Sequence, residues 1–139
     1  MERDPNSHKG QNGKVMVIAG SELYYGAPIL CALGAEASGA DLIYPYLPEA
    51  QAEAAKTYSL NFLIHTFKMG HLTLKDVKPI LELSQKMDVV VIGPGLGRES
   101  ATAEAIKELL AKLEKPTVVD ADALLFTNHL PKTVVLTPH

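Results

Sequence analysis

Short runs of apolar, β-branched residues recur along this chain, each followed by a break and then by another segment of different periodicity. The plainest case is DVVVIGPGLGRES, residues 88–100, where Val89 to Ile92 run straight into Gly93-Pro94-Gly95-Leu96-Gly97-Arg98. Val15–Ala19, Asp41–Leu47, Asn61–Phe67, Val89–Ile92, Thr117–Val119 and Thr133–Leu136 read as strands. Ala27–Ser38, Pro48–Lys56, Thr73–Met87 and Ser100–Leu113 read as helices, and Ala121–Thr127 as a helical turn. In the first helix Ile29, Leu30, Leu33 and Ala37 share a face, Pro28 suits the first turn and Gly39 the C-terminal stop. Thr73 and Asp76 have the spacing of a variant capping box. Ile106, Leu109, Leu110 and Leu113 face inward from the fourth helix.

Strands apolar on both faces and separated by helices are the pattern of a parallel sheet covered on both sides. The fold class is therefore α/β, a doubly wound and mostly parallel sheet in a single domain over residues 1–139. Pro45 is expected to limit pairing of its strand, because it has no N–H to give a ladder. The pattern does not fix the strand order.

Charge narrows the partners. Thirteen Lys and Arg against sixteen Asp and Glu leave a net charge of −3 and no basic patch, which argues against nucleic acid or a membrane surface. No apolar run approaches the roughly 18 residues of a membrane helix, and the polar start MERDPNSHKGQNGK lacks a signal core. With one cysteine there is no intrachain disulfide, which suits a cytoplasmic location. Cys31 sits among apolar residues at helical spacing and reads as a small core residue. His65 and His71 read as sheet-edge or surface residues, and no zinc ligand set is present.

The unusual residues cluster where strands end, which is where open α/β sheets bind ligands. Gly20-Ser21 and Gly26-Ala27 follow the first strand, and the Gly93–Gly97 turn follows the fourth. Asp120-Ala121-Asp122 follows the fifth and Thr137-Pro138-His139 the last. Glycines ahead of a helix let a ligand approach the backbone and aim free N–H groups at an anion. Taken alone such a turn is also a packing device, and it is neither GxxxxGK[ST] nor GxGxxG. Asp120 and Asp122 suit ligand hydroxyls, a magnesium ion or loop bonding; Asp122 also suits a helix cap. His139 suits a polar ligand group or a proton. Tyr24 and Tyr25 either line a pocket or cover a strand end.

In order, HKGQNGKVMVIAGS, GAPILCALGAEASGADL, DVVVIGPGLGR, PTVVDADAL and VVLTPH resemble the NAD(P)H-hydrate dehydratase family of the ribokinase-like superfamily, across essentially the whole chain. The resemblance implies repair of hydrated NADH or NADPH. ADP or ATP, with Mg2+, phosphorylates the hydroxyl at C6 of the ring, and loss of phosphate restores the cofactor. It implies that Gly26, Ala27, Gly95, Gly97 and His139 contact the hydrated nucleotide, with Asp120 lining the same crevice. Leu125 stands where the family usually has Asn after DADAL, and Tyr24 and Tyr25 replace smaller residues. The family's GxGD turn, with its catalytic aspartate and anion hole, is absent from this sequence, so no catalytic residue and no metal ligand is assigned in this chain. The expectation is an amino-terminal half that needs a carboxy-terminal half or complementary chain, and a homo-oligomer as the assembled form. A hydroxyethylthiazole kinase-like enzyme of the same superfamily and a non-catalytic nucleotide-binding module are the competing readings.

Overall fold

A computed structural model describes residues 5–139; the first four residues of the polar start lie outside the described residues. Six strands form one parallel sheet: β1 (Lys14–Ile18), β2 (Leu42–Pro48), β3 (His65–Phe67), β4 (Val89–Ile92), β5 (Thr117–Val119) and β6 (Val134–Leu136). Between them lie α1 (Gly26–Ala37), α2 (Ala52–Lys56), α3 (Leu74–Ser84) and α4 (Ser100–Lys112). A 3₁₀ turn at Glu49–Gln51 precedes α2, and another at Ala121–Phe126 connects β5 to β6.

The strand order is β3-β2-β1-β4-β5-β6. The chain builds outward from β1 in one direction, then returns and builds outward from β4 in the other. That reversal creates a switch point, where the loops after β1 and β4 diverge and leave a crevice at the carboxyl ends of the strands.

Side-chain alternation sends alternate strand residues to opposite faces. On one face Met16, Ile18, Val90, Ile92 and Val119 pack under Val77 and Ile80 of α3 and Ile106, Leu109 and Leu110 of α4. α3 starts as its sequence implies: the Asp76 carboxylate accepts the Thr73 backbone N–H at 2.9 Å and its hydroxyl at 2.8 Å. On the other face a smaller cluster joins Ile29 of α1, Leu47 of β2 and Ala55 of α2.

Two expectations are corrected and a third holds on one side of its strand. The sheet is not covered on both sides throughout. Val17, Val91, Val118 and Val135 form one row across β1, β4, β5 and β6. Val17 is fully buried, Val91 and Val118 are half-buried, and Val135 is 57% exposed. The smaller cluster draws its helical residues from α1 and α2 and its strand residue from β2, so cover thins out along that row toward β6. Leu30 of α1 is 71% exposed instead of sharing the buried face with Ile29; Pro28 and Ala32 are buried in its place. Pro45 limits pairing on the β3 side only, as expected, while β2 still pairs along its length with β1. Ile43 O accepts Leu63 N–H on the β3 side, and Tyr46 O accepts Ala19 N–H on the β1 side. By alternation Pro45 faces β3, in the gap between the Ile43–Phe62 bridge and the first β3 pair at Tyr46–His65. No ladder bond is needed there, so a proline is tolerated.

Candidate functional site

The two loops at the switch point are built as one unit. Gly20 N–H donates to Pro94 O at 2.9 Å, and Gly93 N–H to Ile18 O at 3.1 Å. Gly93 has φ +130°, and a Cβ there would lie 1.8 Å from the Asp120 carbonyl oxygen. That turn admits only glycine. Gly95, with φ +66°, lies against the start of α1: a Cβ on it would meet Tyr24 Cβ at 2.7 Å and Ala27 Cβ at 2.9 Å. The structure therefore brings Gly95, Ala27 and the adjacent Gly26 together, as the sequence anticipated. Here α1 and α4 also begin, so both helix N-termini open toward the crevice.

Arg98 and Asp122 explain the rest of the turn. The Asp122 carboxylate accepts Gly97 N–H at 3.0 Å on one oxygen and Arg98 Nε at 3.1 Å on the other. Asp122 makes no side-chain cap bond to the short helix; its two oxygens hold the glycine turn in place. Asp120 accepts the Thr137 hydroxyl at 2.6 Å, which ties the last strand's loop to β5. Thr137 N–H also bonds Val119 O, at 3.2 Å. Both carboxylates are engaged in loop bonds. Among the described residues no three of His, Cys, Asp and Glu gather as a metal centre. His139 is exposed, two residues beyond the Thr137 tie, and lines neither cavity of the crevice.

Those cavities flank Tyr24. One, of about 360 Å³, is lined by Ser21, Glu22, Leu23, Tyr24, Gly70, His71 and Glu99. The other, of about 410 Å³, is lined by Leu23, Tyr24, Gly97, Arg98, Glu99 and Asp122. Glu22, His71 and Glu99 were not singled out as crevice residues by sequence. His71 arrives because Glu22 N–H donates to Gly70 O at 2.7 Å, which draws the loop after β3 over the loop after β1. No local signal carries that contact; it depends on β3 lying two strands from β1. Tyr24 lines the pocket, settling one of its two readings.

Two other candidates stand apart. Cys31 faces a half-buried position on α1, and burial, helped by the negative charge of Asp120, pushes its thiol up to about 11. It is a poor nucleophile, as its apolar setting implies. His65 stacks between Tyr44 and Tyr46 with ring centroids 6.1 and 5.9 Å away, and burial holds its pKa below the usual value. It belongs to the β2–β3 side of the sheet, not to the crevice.

The family model described as NAD(P)H-hydrate dehydratase matches residues 15–139. The chain belongs to the NAD(P)H-hydrate dehydratase family. A bifunctional NAD(P)H-hydrate repair enzyme of Methanothermobacter thermautotrophicus is 38% identical over 144 residues, covering 99% of this chain and 28% of that protein. An ATP-dependent (S)-NAD(P)H-hydrate dehydratase of Aedes aegypti is 36% identical, covering 98% of this chain and 43% of its own length. A solved ribokinase-like superfamily protein of Enterococcus faecalis matches with TM-score 0.86 at 25% identity, over 99% of this chain and 49% of that one. An ADP/ATP-dependent NAD(P)H-hydrate dehydratase from Bacillus subtilis, co-crystallized with ATP/Mg2+, gives 0.73 at 28% identity, covering 99% of this chain and 48% of that one. The chain thus spans about half the length of these solved relatives and 28–43% of these curated ones. Among the described residues no helix is long and apolar enough to cross a membrane.

Proposed function

We propose that this chain supplies the nicotinamide-nucleotide side of an ADP- or ATP-dependent NAD(P)H-hydrate dehydratase site. Gly26, Ala27 and the Gly95–Gly97 turn, packed together, form the wall at the switch point against which the hydrated nucleotide lies. His139 contacts it only if the β6 loop, which Asp120 holds through Thr137, extends over the crevice. Phosphate transfer from ADP or ATP to the C6 hydroxyl, then expulsion of phosphate by the ring nitrogen's lone pair, returns the reduced cofactor. The nucleotide, its Mg2+ and the catalytic base belong to a segment equivalent to the other half of the solved relatives. The observation that carries this reading is the direct contact of the Gly95 turn with Tyr24 and Ala27, which joins two strand-end loops into one crevice.

The second half has a place to join. Val91, Val118 and Val135 leave a partly uncovered apolar row on the sheet, and β6 pairs with β5 on one side only. A further strand beside β6 and a helix over the row would bury both. We place the protein in the cytoplasm, where a lone Cys31 stays reduced.

The experiment mixes the 139-residue chain with hydrated NADH, Mg2+ and ADP or ATP, with and without a carboxy-terminal half taken from a relative. The chain alone should bind hydrated NADH without turning it over, and the mixture should regenerate NADH absorbance at 340 nm. Turnover by the chain alone overturns the division of labour. Failure to bind hydrated NADH overturns the substrate assignment.

A further inference from the structure

The Asp120-Ala121-Asp122 turn has one acidic arm for each neighbouring loop. β5 lies between β4 and β6 in the sheet. Asp122 reaches to the β4 side and accepts from Gly97 N–H and Arg98 Nε; Asp120 reaches to the β6 side and accepts from the Thr137 hydroxyl. In an extended chain residues two apart face the same way. Between these two stands Ala121 at φ +47°, the one non-glycine with positive φ among the described residues. A left-handed alanine is unfavourable for an L-residue, and such conformations persist where the surroundings enforce them. Here it turns two successive carboxylates toward opposite loops.

The base of the turn is fixed independently. Asp120 N–H donates to Ile92 O at 3.0 Å, and Ala123 N–H to Asp120 O at 3.2 Å. The Asp120 carbonyl also fills the space where Gly93 would carry a Cβ. The Asp122 side chain is only 15% exposed, against 73% for Arg98. Its bond to the Gly97 amide is therefore the better shielded, and a charge-assisted bond to a backbone N–H is among the stronger kinds.

We propose that Asp120-Ala121-Asp122 is a two-armed clamp that sets the distance between the glycine turn and the Thr137-Pro138-His139 loop. Asp120 and Asp122 are positioning residues: neither needs to touch substrate. Asp122 fixes where the Gly97 amide sits, and Asp120 fixes where the chain leaves β6 toward His139. The part that concerns ligand affinity rests on the reading given under Proposed function; the part that concerns loop geometry does not.

The test uses the whole 139-residue chain, with amide NMR in the absence of ligand and calorimetry with hydrated NADH as the probe. Asp122→Ala should shift the Gly97 amide resonance upfield and leave Thr137 unmoved; Asp120→Ala should do the reverse. Each should weaken hydrated NADH by roughly tenfold or more, the scale of losing a hydrogen bond to a charged group. Asp122→Asn keeps one acceptor for Gly97 and should recover most of the lost affinity and the amide position. It also reports on the arm should the alanine variant fail to fold. A Gly97 amide indifferent to both Asp122 variants overturns the clamp, as does an Asn variant no better than Ala in a folded chain. If the amides respond as described and the unaltered chain does not bind hydrated NADH, the clamp stands and the substrate assignment falls.

Discussion

Replacing Gly93 by alanine places a methyl group where the structure has the Asp120 carbonyl oxygen, 1.8 Å from the new Cβ, with the Ala123 Cβ at 2.9 Å. The oxygen has no easy retreat. Its residue is bonded into the sheet through Asp120 N–H to Ile92 O, and the oxygen itself accepts Ala123 N–H. The backbone at φ +130° is a second cost, because L-residues rarely adopt it. Strain of that kind costs roughly 1–3 kcal/mol, and forced overpacking of a filled site about 1–3 kcal/mol or more. The sum, roughly 2–6 kcal/mol, is a large share of the ~5–15 kcal/mol that holds an ordinary domain together. For a chain of this size it should lower the midpoint of thermal unfolding by about 7–20 °C, followed by far-ultraviolet circular dichroism. Gly26→Ala is the control: no atom lies within 4 Å of its Cβ, so its midpoint should shift by no more than an ordinary surface change, about 0.5 kcal/mol. A Gly93→Ala chain melting within about 3 °C of the parent would refute the reasoning, for it would mean the β4 and β5 ends part without cost.

Other consequences can be measured directly. With its thiol pushed from 9.0 up to about 11, Cys31 should react with iodoacetamide near pH 8 about a hundredfold more slowly than a cysteine at the ordinary value, until denaturant is added. Because the folded chain favours the protonated thiol, its contribution to stability is complete below pH 9 and lost as pH rises through about 11; Cys31→Ala should flatten that alkaline limb in urea titrations. His65 has the opposite sense. Burial favours its neutral ring, so its contribution is present above 6.5 and lost as pH falls below it, and His65→Gln should flatten the acid limb. Leu109→Ala, at a fully buried position of α4, should cost about 2–5 kcal/mol in urea unfolding. Leu30→Ala, 71% exposed, should change the isolated chain by less than about 0.5 kcal/mol.

Local chemistry was strong enough to announce most elements. Val89–Ile92 and Thr117–Val119 have the bounds expected, and α4 stops one residue short at Lys112, because apolar periodicity and Gly or Pro breaks are properties of a few adjacent residues. Strand β3 was read too long, as Asn61–Phe67. Only His65–Phe67 pairs fully, since pairing depends on β2 and on the gap opposite Pro45. α3 likewise ends at Ser84, short of Met87. The glycine turns and their place at strand ends were legible, and so was the family to which the chain belongs.

The sequence by itself determined which backbone positions must be glycine-rich and which segments must be buried, since steric freedom and apolar period act within a few residues. Only the tertiary structure decided the order β3-β2-β1-β4-β5-β6, the arrival of Gly70 and His71 beside Glu22, and the division of Asp120 and Asp122 between two loops. Each of these is a contact between residues far apart in the chain. Its free energy comes from packing and hydrogen bonding that exist only once the sheet is assembled, so no window of neighbouring residues carries it.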